Sequence, residues 1–285
     1  MLYLLFAIGA SAAMALALKL FRAPKGNRYG LLLGNYITCA ALSFFLLPDK
    51  GTLARLEGAT LLCGGVSGVL YVVSLVAMQR SIARNGATLS AAFSKLGLLV
   101  PLLLSMGLFG ERPGAFQWLG LGLAALALFF INSRSGAGEE LAPAAPAPAL
   151  LLLTLLCSGV CDTMAKVFER LGSRDQDGVY FLILFSVAVC LTAGLALLEA
   201  RRTGKGLRWQ EMAAGIAVGV PNYCSSFLLL QALVRLPAYL VYPMFSTGTI
   251  LLVALLSALL FQEKPGKRQA LGLGLILAAL ALLNA

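Results

Sequence analysis

An all-α membrane protein, with ten transmembrane helices in two inverted five-helix repeats around a central cavity, is the fold class this sequence predicts. Three observations predict it. Hydrophobic residues make up 60% of the 285 and charged residues only 12%, with a mean hydropathy of +0.89; a soluble domain carries about 25% charged residues. The apolar residues gather into runs of the roughly 20 residues that cross a hydrocarbon core about 30 Å thick. The second half of the chain repeats the first.

The runs place spans near residues 2–20, 30–47, 58–78, 87–109, 115–132, 149–168, 178–198, 211–233, 237–261 and 268–284. The first begins directly at Met1-Leu-Tyr-Leu-Leu without a basic leader segment, so it reads as a helix that stays rather than as a cleaved signal. Short charged or Gly/Pro-containing loops punctuate the others: Arg22 to Arg28, Pro48 to Gly51, Glu111 to Gly114, and Glu263 to Lys267. Pro101, Pro221 and Pro243 fall inside spans four, eight and nine, where a missing N–H kinks a helix and either hinges it or merely curves it. The stretch Ser133 to Pro148 is rich in Pro and Ala and reads as a linker. The domain organisation expected is therefore residues 1–133 as the first five-helix repeat, 134–148 as linker, and 149–285 as the second repeat.

The repeat rests on polar, Pro and Gly matches, because leucine matches are cheap in such a chain. At one constant offset Tyr71 meets Tyr223, Ser74 meets Ser226, Gln79 meets Gln231, and Phe93-Ser94 meets Phe245-Ser246. The same offset carries Phe109-x-Glu111-x-Pro113-Gly114 onto Phe261-x-Glu263-x-Pro265-Gly266, and Leu119-Gly-Leu-Gly122 onto Leu271-Gly-Leu-Gly274. A second, slightly shorter offset joins Ser11, Lys19 and Phe21 to Ser158, Lys166 and Phe168. An odd number of spans, duplicated, must insert the two copies in opposite senses. That architecture is common in carriers, with a solute site near the midplane between the halves.

Charge and composition exclude other classes. The net charge of +10 lies mostly in short loops, where it sets topology and meets anionic head groups; no basic array with interleaved aromatics suggests nucleic acid. The loops after spans one, three, five, seven and nine hold about 13 Lys and Arg, against about 6 on the other side. The richer side is the expected cytoplasmic one, leaving both termini outside. The chain has no His, and its six cysteines, Cys39, Cys63, Cys157, Cys161, Cys190 and Cys224, all lie in apolar runs. A zinc site, any other metal and a cofactor are thus not expected, nor is an enzyme, which would need His, paired carboxylates or a nucleophile–base pair.

At Tyr71 to Gln79 and its copy, and at Leu108-Phe-Gly-Glu111-Arg-Pro followed by Gln117-Trp-Leu-Gly-Leu-Gly with its copy at Leu260 to Gly274, the chain resembles the drug/metabolite transporter superfamily, specifically its EamA-like ten-helix members. Lys19 and Lys166 fit the same resemblance. It implies a basket of helices around a central cavity, alternating access, and movement of amino acids or other metabolites, in a bacterial inner membrane. It also implies the opposite orientation to the one the loop charges give. Span one departs from the family: Ser11-Ala-Ala-Met stands where a Trp-Gly pair and a polar cluster are usual.

Candidate site residues follow from polarity inside spans. Lys95 lies deep in span four, too far from a helix end to snorkel with ease, so it either meets an anionic solute or forms a structural ion pair. Asp162 is the one carboxylate well inside a span; it either pairs with Lys166 one helical turn on or faces the cavity as a proton-coupling or cation-binding group. Tyr71, Ser74, Gln79, Ser94, Tyr223, Ser226, Gln231, Tyr242, Ser246 and Asn35 are the expected solute-binding set, with Asn222, Ser225 and Thr247 as further polar groups. Any one of them could instead bond to its own helix backbone or sit at the membrane interface. Gly120, Gly122, Gly272 and Gly274 suit close helix packing and leave room for a homodimer. The partners expected are a small-molecule solute and the lipid bilayer.

Overall fold

The computed structural model describes residues 1–20, 27, 29–85, 90, 93–94, 96–97, 99–110, 113–132, 147–261 and 267–283. Ten α-helices have described bounds: α1 (Leu2–Leu20), α2 (Gly30–Phe45), α3 (Gly58–Asn85), α4 (Leu99–Phe109), α5 (Ala115–Asn132), α6 (Pro148–Leu171), α7 (Asp177–Thr203), α8 (Trp209–Leu233), α9 (Ala238–Phe261) and α10 (Lys267–Leu283); residues 90, 93, 94 and 96 are helical as well. Among the described residues, five stretches are long and apolar enough to cross a membrane: Gly58–Ile82, Pro148–Leu171, Arg174–Thr203, Trp209–Leu233 and Ala238–Leu260. Shorter apolar helices occupy Leu2–Leu18, Gly30–Phe45, Ala115–Ala127 and Leu271–Leu283.

Polarity runs opposite to that of a water-soluble bundle. Leu5 and Phe6 on α1, Leu61, Leu62, Val69 and Val73 on α3, and Leu152, Leu153 and Leu156 on α6 are exposed, while Asn35, Ser67, Thr154, Thr163 and Thr192 are buried. Hydrocarbon solvates the former and cannot hydrogen-bond the latter. Several buried hydroxyls therefore close on their own helix one turn back: Ser43 on the Cys39 carbonyl at 2.8 Å, Thr154 on Leu150 at 2.7 Å, and Thr163 on Gly159 at 2.8 Å.

Helix ends follow local chemistry. Pro148 opens α6, where its missing N–H costs nothing. Gly204 closes α7 with φ +69° and its N–H on the Ala200 carbonyl, a left-handed cap natural to glycine. Span four differs from the expected continuous run. Residue 97 is a turn whose N–H meets the Phe93 and Ser94 carbonyls, and α4 starts afresh at Leu99. Pro101 accordingly sits in the first turn of a helix, where no donor is wanted, rather than kinking one in mid-course. Pro221 and Pro243 do lie inside α8 and α9.

The principal packing partners cross between the two halves of the chain. α2 packs on α8 and α7, α3 on α7 and α6, α1 on α8 and α9, α4 on α6 and α9, and α5 on α10. Exchanging each helix of the first five for the one five later returns this same set: α1–α8 becomes α6–α3, α1–α9 becomes α6–α4, and α2–α8 becomes α7–α3. The α2–α8 seam is the tightest. A Cβ on Gly34 would strike the Met212 carbonyl, one on Gly215 the Leu31 carbonyl, and one on Gly219 would lie 2.6 Å from Thr38 Cβ. Only hydrogens at these positions let two backbones meet this closely. Across the equivalent α3–α7 seam, Gly64 faces Ile183 and Gly68 faces Val187, so the two helices run parallel.

A ring cluster fills the space between α2, α3, α6, α7 and α8. Phe168 stacks on Tyr180 at 4.1 Å and 10°, Tyr180 meets Phe181 edge-on at 5.0 Å, and Tyr223 stacks on Phe227 at 6.0 Å. Tyr36 and Tyr71 both border Phe185.

Candidate functional site

Two adjoining chambers, each of about 160 Å³, lie inside the bundle. Asp162, Leu229 and Phe245 line both. The helical repeat of α6 explains how its residues reach them. Ser158, Cys161, Asp162 and Ala165 share one face at i, i+3, i+4 and i+7 and point inward, whereas Leu152, Leu153, Leu156 and Val160 share the opposite, exposed face. On α8 the same spacing brings Asn222, Ser225, Ser226 and Leu229 to the first chamber.

The first chamber adds Ser11 and Met14 from α1, Tyr71 from α3, and Tyr180, Phe181 and Leu184 from α7. Its wall is pinned by side-chain bonds. The Ser225 hydroxyl donates to the Ala7 carbonyl at 3.2 Å and fixes α8 on α1. The Asn222 amide donates to Asn35 Oδ1 at 3.1 Å and fixes α8 on α2. Ser67 and Tyr180 share a hydroxyl–hydroxyl bond of 2.9 Å that joins α3 to α7.

The second chamber is lined by Ser94, Ser158, Asp162, Leu229, Tyr242, Phe245 and Ser246. The Ser94 and Ser158 hydroxyls lie 2.7 Å apart, bridging span four to α6. Buried Tyr242 donates its hydroxyl to the Asp162 backbone carbonyl at 2.7 Å, tying α9 to the middle of α6. Asp162 itself is exposed although it stands in the centre of an apolar helix. Its exposure is therefore to the chambers it lines. A carboxylate there can exchange a proton or receive a cationic group without entering lipid.

Of the expected site residues, the chambers gather Tyr71, Ser226, Ser94, Tyr242, Ser246 and Asp162. Asn35 stands behind the wall as the acceptor for Asn222, and it also faces the Cys39 thiol at 3.8 Å. Tyr223 is turned into the ring cluster. Ser74 lines neither chamber. Gln231 donates to Asp177 Oδ2 at 2.7 Å, at the start of α7. Gln79 opens on a separate cavity of about 380 Å³. Lys95 lies outside the described residues. The Lys166 ammonium, nearly buried, lies 2.9 Å from Glu169 Oε2, so the pairing seen there is one turn on towards the helix end.

In the sequence, Ser11 stands out as a repeat match and in the span-one departure from the family, Ser158 as a repeat match alone, and Tyr180 and Phe181 not at all. The signal for Ser158 was present, since it shares a face with Asp162. Nothing local marks the two rings, because aromatic residues in an apolar run look alike until packed.

The comparisons with known proteins bear on this arrangement. The model of the EamA-like transporter family matches residues 146–285. This half of the chain belongs to the EamA-like transporter family, within the drug/metabolite transporter superfamily. An uncharacterized protein of Haemophilus influenzae is 26% identical over 288 residues, covering 97% of this chain and 95% of its own. A solved crystal structure aligns with a TM-score of 0.72 at 16% identity, over 99% of this chain and 94% of its own, a likeness of fold. The EamA-like half contributes Asp162, Ser158, Ser226, Tyr242 and Ser246 to the chambers; the other half contributes Ser11, Tyr71 and Ser94. The apolar helices are those of an integral, multi-pass membrane protein, and its residues 146–285 match a family of transporters.

Proposed function

We propose that this protein is a secondary active transporter that moves a small polar metabolite, an amino acid or a related zwitterion or anion, by alternating access between two inverted five-helix repeats. Residues 1–133 and 149–285 form the repeats, and a bacterial inner membrane is the setting. The observation that carries the reading is Asp162: a carboxylate in mid-helix, open to two polar chambers that both halves of the chain wall in. Holding an ionisable group in the hydrocarbon region costs at least about 3 kcal/mol on insertion scales, so it marks a pathway more often than a strut.

In this mechanism the hydroxyls of Tyr71, Ser226, Ser94 and Ser246 offer hydrogen bonds to the solute. Phe245 and Leu229, shared by both chambers, stand between one and the other. Asp162 touches both chambers and so can follow a proton or the solute's ammonium across. Tyr242 holds the α6 backbone at that point.

The test is counterflow in proteoliposomes loaded with a panel of amino acids and small organic acids. Saturable exchange of at least one compound, reduced about tenfold or more by Asp162→Asn with unchanged thermal stability, is expected. Steady ion conductance without solute exchange would identify a channel instead, and no flux together with partner binding a scaffold.

A further inference from the structure

The cavity at Gln79 lies apart from the chambers and shares no lining residue with them. It sits where the last turns of the parallel helices α3 and α7 meet the start of α2. Gln79, Arg80, Glu199 and Arg202 supply its polar lining, Tyr29 its floor, and Val76, Leu195 and Leu198 its apolar wall. Leu198 is half exposed and carries that wall out to the bilayer.

The internal repeat sets this cavity apart from its counterpart in the second half. Gln231, the copy of Gln79, spends its amide on the carboxylate of Asp177, first residue of α7, at 2.7 Å. The offset that joins Ser11 to Ser158 also joins Gly30, first residue of α2, to Asp177. The first half has the glutamine but a glycine at that position, and Glu211 Oε2 lies 2.7 Å from where its Cβ would be. The first half also has Arg80 where the second half has buried Ala232. Among the described residues, neither Gln79, Arg80 nor Arg202 has a hydrogen-bonded or ion-paired side-chain partner. The two guanidinium groups outweigh the single carboxylate of Glu199.

We infer that this cavity binds an oxyanion from outside the chain, the phosphate of an anionic phospholipid, held by Arg80, Arg202 and Gln79. Planar guanidinium groups match phosphate geometry. The apolar wall favours the lipid over free phosphate, because it offers an acyl chain a surface next to the head group. The location agrees: Arg80 and Arg202 belong to the Lys/Arg-rich membrane face, where anionic lipids and basic side chains meet.

The experiment uses the full chain in nanodiscs of phosphatidylcholine alone or with phosphatidylglycerol, and reads bound phosphatidylglycerol by native mass spectrometry and stability by thermal shift. Preferential retention of phosphatidylglycerol and a raised Tm are expected. The double variant Arg80→Ala/Arg202→Ala should weaken retention about tenfold or more, the loss expected for charge-assisted hydrogen bonds. Gln79→Leu, which removes no charge, should weaken it by a smaller factor. Arg84→Ala and Arg208→Ala, on the same face but outside the cavity, serve as controls and should leave retention unchanged. Equal retention in the cavity variants, or equal loss in the controls, overturns the site. Equal stabilisation by inorganic phosphate in phosphatidylcholine discs overturns the lipid assignment. Solute exchange through the chambers is measured separately, so either proposal can fail alone.

Discussion

Removing the Ser158 hydroxyl perturbs a bond that has a twin. Ser94 and Ser158 lie 2.7 Å apart, and the internal repeat carries Ser94 onto Ser246 and Ser158 back onto Ser11. The twin is open: Ser11 lines the first chamber and Ser246 the second, and no hydrogen bond joins them. In the alternating-access cycle proposed above, one pair opens as the other closes. A part-buried neutral hydrogen bond contributes about 0.5–1.5 kcal/mol net, so Ser158→Ala should shift the balance towards the state with Ser11 and Ser246 together by a factor of about 2 to 12. The assay uses the chain with its six cysteines replaced by alanine and with Ser11→Cys and Ser246→Cys added. The rate of disulfide formation under mild oxidant reports the population in which that pair is closed. Adding Ser158→Ala should raise the rate by the stated factor. An unchanged rate refutes the reasoning. So does a four-cysteine variant, with Ser94→Cys and Ser158→Cys included, that forms both disulfides in the same molecule, because the two pairs would then not be alternatives.

Gly219→Leu should destabilise the fold by more than about 2 kcal/mol, since a Cβ alone lies 2.6 Å from Thr38 Cβ and the backbones cannot part without breaking the α2–α8 seam; thermal unfolding in detergent reads this as a lower Tm and loss of monodispersity. Gln231→Leu leaves the part-buried Asp177 carboxylate without its amide donor and should cost about 1.5–3 kcal/mol, with Gln231→Glu worse still because it brings a second carboxylate to the same place. Lys166→Met removes the nearer of two cations on part-buried Glu169, leaving Arg170 at 3.6 Å, and should cost about 1.5–3 kcal/mol, most of it recovered in Lys166→Met/Glu169→Gln; failure of the second change to rescue the first would show that packing of the lysine stem, not its charge, is what counts.

Apolar runs and their punctuation made the helices legible. The expected spans 2–20 and 115–132 coincide with α1 and α5. α3 and α7 run on past the apolar run, because polar residues at a helix end still make backbone bonds where water is near. Span four is the exception: its apolar character gave no sign that the chain turns at residue 97, where the backbone lies against the Leu155 carbonyl and the Gly159 amide. Within the site, polarity inside a span was legible and exact placement was not. Asp162, Tyr71 and Ser226 stand out as polar groups within apolar runs and lie in the chambers. Gln79 stands eight residues beyond Tyr71, about 12 Å further along the helix at 1.5 Å per residue, which carries it out of the chambers and into the cavity near the membrane surface. Tyr223 shows the reverse. Its depth suits the chamber, but one residue's rotation from Asn222 turns the ring into the aromatic cluster.

The α2–α8 seam has a consequence for biogenesis. The translocon releases α2 long before the ribosome has made α8, yet the glycine face of α2 fits little else. Until the second half is inserted, that face is an exposed groove in the bilayer, open to lipid, to insertase chaperones or to a neighbouring nascent chain. Neither half is therefore a self-sufficient lobe, and separately expressed halves should be degraded alone and accumulate only when co-produced.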